Sequence, residues 1–310
     1  MPMQERIAFL NGAFLPEREL AVSVVDAGFV LGVTIAEQLR TFRGTIFRAE
    51  DHLSRLYHSL EILGLDIGYT AEQLKSAAEY VVAANRQLMH PADDMGVSIF
   101  VTPGRYAAYS GPGPNVPTVA IHTYPLPFYL WADKYTGGES VAVASVRQVP
   151  VECWSRALKC RSRMHYYLAE KEVRRIDPSA RPILLDADGC VTEAPTANIV
   201  AYHAEEGLIA PPVERTLPGI SLKVVTELAA QLGIPFSHRF LTVSDLERCD
   251  EIFLTSTPFC LLPVVRLNGT PVGQTHPGKP GPVYRRLLAA WNEIAGFDLV
   301  AQAQRFRHRV

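Results

Sequence analysis

Cysteine is scarce in this chain. Five occur in 310 residues (Cys153, Cys160, Cys190, Cys249 and Cys260), and no two stand as C-x-x-C. So few, so scattered and odd in number, they form no disulfide framework and suit free thiols in a reducing cytoplasm. The nine histidines show no H-E-x-x-H or similar ligand spacing, which argues against a metal hydrolase, so no metal is expected. Neither G-x-G-x-x-G nor a Walker loop is present, which disfavours nucleotide-phosphate chemistry. No apolar run reaches the ~18 residues of a membrane span, and Met1-Pro2-Met3-Gln4-Glu5-Arg6 lacks the basic start and apolar stretch of a secretory leader. A cytoplasmic location is therefore expected. Charge is nearly balanced: 30 basic against 32 acidic residues leave −2, with no general pull toward nucleic acid or a membrane surface. What is present is ordinary for a folded chain, 48% hydrophobic and 20% charged. A chain of this length buries roughly three quarters of its unfolded surface and needs neither disulfide nor metal to hold a core.

Length favours two domains, and the patterning fits that division. Ile7–Leu10 and Ala13–Leu15 flank Asn11-Gly12, the signature of a hairpin with a primed turn. Ile35–Phe42 and Thr45–Phe47 read as a second strand pair. Leu53, Leu56, Leu60 and Leu63 recur at three- and four-residue steps, marking one face of a helix over Asp51–Leu63. Thr70-Ala71-Glu72-Gln73 is a capping box that opens a helix running to about Asn85. Val97–Thr102 and Val119–Thr123 read as strands. Between them Pro103–Pro117, rich in Gly, Pro and Tyr, is a loop long enough to be functional or mobile. Tyr124–Gly138 reads as the crossing between domains. The division expected is a small α/β domain over residues 1–125, a connection over 126–138 and a larger domain over 139–310.

The second half reads as strand Val141–Val146, a helix from about Arg163 to Ile176, and short strands at Ile183–Leu185 and Val191–Thr192 around the turn Asp186–Gly189. Strands at Asn198–Tyr202 and Leu208–Ile209 follow. A helix from Ile220 to Leu232 stops at Gly233, Glu251–Leu254 is a buried strand, and Val283–Ile294 is a last amphipathic helix. No repeat interrupts the pattern, and the class is mixed α and β.

Several residues have the chemistry of a site. Lys159, beside Leu158 and near Trp154, is a candidate for a lowered pKa and Schiff-base chemistry, although a loop lysine is commonly a solvated surface charge. Glu193 at a strand end, followed by small residues and Asn198, either points into a cleft or simply forms a turn. Leu217-Pro218-Gly219-Ile220-Ser221 sets free N–H groups and a positive dipole end where a phosphate would fit, and Ser221 reads equally as a plain cap. Thr255-Ser256-Thr257 is a further hydroxyl cluster or an ordinary turn. Arg55 lies off the leucine stripe with His52 and Ser59, where an isolated arginine reads as a solvated helical charge.

In order and spacing these features resemble the class IV aminotransferases, the fold type IV pyridoxal-phosphate enzymes that include branched-chain and D-amino-acid aminotransferases and aminodeoxychorismate lyase. The motifs are Lys159, the Glu193…Asn198 turn, Leu217-Pro218-Gly219-Ile220-Ser221, and Asp250-Glu251-Ile252-Phe253 leading to Thr257 and Pro263-Val264. In the first half they are Leu10-Asn11-Gly12, Asp26–Phe29, Gly32, Glu37-Gln38-Leu39-Arg40, Gly44, and His52–Leu56 with Ser59. The resemblance spans about Leu10 to Val265. It implies a two-lobed fold, with a small N-terminal α/β lobe and a larger C-terminal pseudo-barrel, and pyridoxal 5′-phosphate as cofactor.

By the same resemblance, Lys159 carries the cofactor through a Schiff base and shuttles the proton, and Glu193 pairs with the pyridine nitrogen. The phosphate is implied on the Ile220 and Ser221 amides after Leu217 and Gly219, with Arg55 as counter-charge, Ser256 or Thr257 on its other side, and Asn198 in support. The activity implied is ping-pong transfer of an amino group from an amino acid, of D-amino-acid or branched-chain type, to a 2-oxo acid.

Departures bear on substrate. Leu31 stands where many relatives carry tyrosine. Val101-Thr102-Pro103-Gly104 has proline where D-amino-acid enzymes have a carboxylate-gripping arginine, leaving Arg105 or Arg40 as substitutes. Pro258 has no N–H to offer. Arg163 and Tyr166 are pocket candidates or plain helix residues. A lyase on the same cofactor is the alternative, disfavoured by Gln38 where that enzyme is expected to carry threonine. A non-catalytic ligand-binding relative is the third reading, disfavoured by the presence of both Lys159 and Glu193. The family also implies a homodimer with Pro103–Pro117 as a mobile or contributed loop, small-molecule donor and acceptor, and no nucleic-acid or membrane partner.

Overall fold

Asn11 and Gly12 take φ values of 46° and 91°. A primed turn needs both to be positive. They close the hairpin of β1 (Ile7–Leu10) and β2 (Ala13–Pro16), with Phe9 opposite Phe14. The computed structural model describes residues 5–309, so the leader reading at Met1–Gln4 lies outside the described residues. These residues divide into two units. One runs to Leu126 and also takes in Leu158–Ser162; the other holds Pro127–Ala157 and the chain from Arg163 onward.

The first unit continues with α1 (Ala27–Val30), β3 (Ile35–Phe42), β4 (Thr45–Ile46), α2 (Ala49–Leu63), α3 (Ala71–Arg86), β5 (Met95–Thr102), α4 (Ala107–Ser110) and β6 (Thr118–Pro125). Its strands form an antiparallel sheet in the order β2-β1-β6-β5-β3-β4. Side chains alternate across a strand. Ile35 and Leu39 therefore join Val97, Ile99, Val101 and Ile121 on one face, which packs on Leu53, Leu56 and Leu60 of α2 and Leu74, Val81 and Val82 of α3. The opposite face of β3 carries Ala36, Gln38 and Arg40. The capping box forms: Thr70 Oγ1 accepts the Gln73 N–H at 3.2 Å, and Gln73 Oε1 accepts the Thr70 N–H at 2.8 Å.

Within the loop expected over Pro103–Pro117, one turn of helix, α4, forms after Tyr106, which lends it no side-chain cap. Buried Asp26 ties the two ends of this loop together. Its Oδ2 accepts from Thr102 Oγ1 at 2.8 Å and from Thr118 Oγ1 at 2.7 Å.

The second unit contains α5 (Lys134–Gly137), β7 (Glu139–Val143), α6 (Met164–Ile176), β8 (Arg181–Ile183), β9 (Glu193–Ala194), β10 (Ala197–His203), β11 (Gly207–Ala210), α7 (Ile220–Gln231), β12 (Phe236–His238), α8 (Val243–Arg248), β13 (Glu251–Ser256), β14 (Cys260–Leu267), β15 (Thr270–Pro271), α9 (Pro282–Ala295) and α10 (Leu299–Phe306). Its sheet runs β12-β11-β10-β13-β14-β7-β8, with β9 on β10 and β15 on β14. The core of this sheet is strongly apolar: Ile252, Phe253 and Leu254 of β13 and Leu261, Leu262 and Val264 of β14 are all buried. α5, β12, α8, β14, β15 and α10 are additions to the elements read from sequence. For α8 a local signal exists: Thr242 and Asp245 form a second capping box. The class is mixed α and β. No helix among the described residues is long and apolar enough to cross a membrane.

Candidate active site

Lys159 belongs to the first unit although its flanking chain belongs to the second. Residues 159–161 run as an added strand along the start of β3. Ala36 N–H donates to Lys159 O at 2.9 Å, Arg161 N–H donates to Thr34 O at 2.8 Å, and Cys160 bridges Ile35. The lysine is further fixed by its own N–H on Ser59 Oγ, at 3.4 Å. Its position thus comes from pairing with residues far away in sequence, not from the loop around it.

Ser59 lies on α2, one turn beyond Arg55. The Arg55 guanidinium meets Glu37 of β3 along one edge: Nε to Oε1 is 2.8 Å and Nη2 to Oε2 is 2.7 Å. His52 Nδ1 shares Oε2 at 2.8 Å. Glu37 and His52 are both 0% exposed. Burial on its own would raise the Glu37 carboxyl, but the charge and hydrogen bonds of Arg55, with a further bond from His52, hold it well below the usual carboxylate range. Burial also pushes His52 below its ordinary value, against the pull of Glu37, so the ring is neutral. Nδ1–H then donates to Glu37, and Nε2 is a buried acceptor with no hydrogen-bond partner.

Glu193, in the second unit, opens β9 and is buried. Gln148 Nε2 and Tyr166 OH donate to its Oε1 at 2.8 and 2.7 Å, and Leu217 N–H donates to Oε2 at 3.2 Å. Burial first, and then the Glu193 charge, raise the Tyr166 phenol far above its ordinary value, so it stays a donor. Asn198 pairs with Glu193 across β9 and β10 and donates from Nδ2 to Leu217 O at 2.8 Å. Leu217 is therefore clamped from both sides. A Cβ on Gly219 would lie 1.9 Å from Asn198 Oδ1, so any larger residue there would have to displace the Asn198 side chain. α7 begins immediately after it, and Gly219 gives it no side-chain cap, which leaves the first N–H groups of the helix without one. Nearby in this unit, Ser256 Oγ donates to Thr196 O at 2.6 Å, and Thr257 and Pro258 follow in the turn between β13 and β14. Thr255 Oγ1, opposite Asn198 in the register, is buried without a hydrogen-bond partner.

Arg40 is sealed in the first unit, 4.5 Å over the Phe42 ring. Arg105 donates to Ser110 O at 2.6 Å within its own loop. Leu31 follows α1 and is exposed, and Arg163 stands at the N-cap position of α6. Sequence reasoning missed Glu37 and His52 as partners of Arg55, and Gln148 as a partner of Glu193. Glu37 was legible as a lone acid on the apolar face of a strand; Gln148 had no local mark.

The residues fit pyridoxal phosphate in each unit. An uncapped helix start with Ser221 and neighbouring hydroxyls matches a phosphate, a buried acid fixed by three donors matches a protonated ring nitrogen, and a positioned primary amine matches an aldehyde. Comparison with known proteins decides the family. Residues 34–267 match the model of amino-transferase class IV. The chain belongs to the class IV aminotransferases, which use pyridoxal 5′-phosphate.

Among curated relatives, it is 30% identical over 276 residues to a putative branched-chain-amino-acid aminotransferase of Methanocaldococcus jannaschii, covering 87% of this chain and 91% of that one. It is also 30% identical over 292 residues to a D-alanine aminotransferase of Staphylococcus haemolyticus, covering 92% and 96%. Among solved structures, it matches the branched-chain aminotransferase of Escherichia coli at a TM-score of 0.83 and 24% identity, over 94% of both chains. A T.th. branched-chain aminotransferase solved with pyridoxamine 5′-phosphate matches at 0.82 and 24%, over 96% and 95%. This class IV aminotransferase thus has the fold type IV architecture.

Proposed function

We propose that this aminotransferase moves an amino group from an amino acid, of D-amino-acid or branched-chain type, to a 2-oxo acid, by a ping-pong mechanism. The observation that carries the reading is the buried Glu193 carboxylate, held by three donors beside the start of α7, in a chain that also positions Lys159. When bound, pyridoxal phosphate supplies an aldehyde that condenses with amines and a ring that accepts an electron pair. Glu193 would hold the proton on the ring nitrogen, and Gln148, Tyr166 and the Leu217 N–H fix that carboxylate in place. The first amides of α7, Ser221, and the Ser256–Thr257 turn bind phosphate, with Asn198 fixing the approach through Leu217. Arg55, oriented by Glu37 and His52, is the counter-charge that the family resemblance assigns to the phosphate. Lys159 Nζ would take the proton from the substrate α-carbon and deliver it to the carbon that was the cofactor's aldehyde, with the reverse transfer in the second half-reaction.

The active form in this reading is a cytoplasmic homodimer. Val24, Phe29, Leu31, Tyr109 and Val116 are large apolar residues exposed on the first unit. The segments bearing them are joined by Ala27 N–H to Gly104 O and Tyr106 N–H to Val25 O, at 2.7 and 2.8 Å. Such a patch is costly on a monomer and suits a second copy. The free cysteines suit a reducing compartment.

Single half-reactions test the substrate assignment. The protein loaded with cofactor is mixed with D- or L-alanine and D- or L-leucine, and the 2-oxo acid formed is measured. One enantiomeric series should react stoichiometrically with bound cofactor. No 2-oxo acid from any donor would remove the assignment.

A further inference from the structure

The face of the first sheet that turns away from α2 and α3 is polar at its centre. Gln38 of β3 sits opposite Ser98 of β5, and Ser98 opposite His122 of β6. Gln38 Nε2 donates to Ser98 Oγ at 2.7 Å, and Tyr124 OH donates to Gln38 Oε1 at 3.0 Å. Tyr124 lies over Gly96, where a Cβ would meet its ring at 2.2 Å. Arg161 completes the group: its Nη2 donates to the same Ser98 Oγ at 2.9 Å, and its guanidinium lies 5.6 Å from the Phe100 ring centroid.

The added strand explains how Arg161 reaches this face. Cys160 pairs with Ile35 and packs with the apolar core. By the period-two alternation of a strand, Lys159 and Arg161 on either side of it point to the opposite, polar face. Their Cα atoms are separated by about 6.6 Å, twice the strand rise. The reactive amine and a guanidinium are therefore displayed together by one element. Arg40 also belongs to this face, and the two arginines differ in access: Arg40 is 1% exposed, whereas Arg161 is exposed. Ser98 is buried and Phe100 half-buried, so Arg161 is braced by rigid sheet residues and needs little reordering to bind an anion. A guanidinium fork matches a planar carboxylate better than any other common anion of an amino-acid or 2-oxo-acid substrate.

We infer that Arg161, seated by Ser98 and Phe100 beside Gln38, is a specificity-determining residue that receives a carboxylate of the substrate. The inference rests on the transaminase reading above. Either the α-carboxylate or a distal side-chain carboxylate supplies the same chemistry, and the experiment separates them.

The test compares wild type, Arg161→Met and Arg161→Lys, all loaded with pyridoxal phosphate, using pyruvate (one carboxylate) and 2-oxoglutarate (two) as acceptors. Glutarate binding is followed by calorimetry as a readout independent of turnover. Arg161→Met should raise KM by about ten- to a hundredfold, the loss of a charge-assisted pair, with kcat changed far less. A loss confined to 2-oxoglutarate and glutarate assigns Arg161 to the distal carboxylate. A loss shared by both acceptors assigns it to the α-carboxylate. Arg161→Lys should recover part of the affinity in either case. Ser98→Ala, which removes the brace and keeps the charge, should weaken binding of the same ligands by a smaller factor. Unchanged KM and glutarate affinity in Arg161→Met would overturn the inference. So would a fall in kcat alone. A normal cofactor absorption band in all variants, with 2-oxo acid formed by wild type, keeps that outcome separate from the transaminase reading, which fails if wild type lacks the band or forms no 2-oxo acid.

Discussion

Glu37 sits between the charge of Arg55, the hydrogen bond of His52 and a large desolvation cost, and the balance makes it an acid-sensitive residue. Its carboxyl is held below its ordinary 4.5, so its contribution to stability is complete above pH 4.5 and drains away as pH falls below that. Removing one partner of a buried pair leaves an uncompensated charge, and Glu37→Gln should cost about 3–5 kcal/mol in thermal or denaturant unfolding. His52 and His165 act in the same sense at higher pH. Burial, and then Arg156 and Arg163, push His165 from 6.5 to about 4. Below pH 6.5 the unfolded chain takes up a proton there that the folded chain refuses, so stability falls as pH drops from 6.5 toward 4. The melting temperature should decline over that window, and His165→Asn should flatten the decline; an unchanged slope would rule out His165 as a source of it. In the proposed function Glu193 is a matter of chemistry rather than stability. Glu193→Gln keeps the hydrogen-bonding shape but removes the charge opposite the ring nitrogen, and kcat should fall about 10²–10³-fold with cofactor still bound.

Elements position these residues, and two of their termini are open to direct test. The capping box at Thr70 satisfies two backbone groups of α3, so Thr70→Ala should cost about 1 kcal/mol and lower the melting temperature by a few degrees, without touching cofactor affinity. Gly219→Ala should do the reverse. A methyl group aimed at Asn198 Oδ1 displaces the start of α7 and should weaken pyridoxal-phosphate binding by about tenfold or more, read by fluorescence titration.

The elements most legible in sequence were those with a local signature: the Asn11-Gly12 turn, the leucine stripe of α2, the Thr70 box and the glycine stop after α7. β14 carries a proline and a nearly continuous apolar run, which no periodicity distinguishes from a loop-strand-loop passage. The role of the segment around Lys159 had no local signature either. Its strand character comes from β3, more than a hundred positions away, and so does the orientation of Arg161. Family motifs pointed to Lys159 and Glu193; the braces on each, Ser59 and Gln148, appear only in three dimensions.

At the scale of the whole molecule, self-association is open to test. If the apolar surface around Phe29, Leu31 and Tyr109 meets a second copy, wild type should sediment as a dimer, and Phe29→Asp with Tyr109→Asp should shift it to monomer; a monomeric wild type would contradict the homodimer. The central claim is more specific: Lys159 is a cofactor-bearing amine and not a surface charge. Its most direct test is the near-visible absorption spectrum of wild type and Lys159→Ala, each incubated with pyridoxal phosphate, dialysed, and then given amino donor followed by 2-oxo acid. A cofactor-bearing Lys159 predicts a band in wild type that bleaches with donor and returns with acceptor, and that Lys159→Ala lacks the covalently held band and the cycle. The same band and cycle in Lys159→Ala, or no band in wild type, would contradict it.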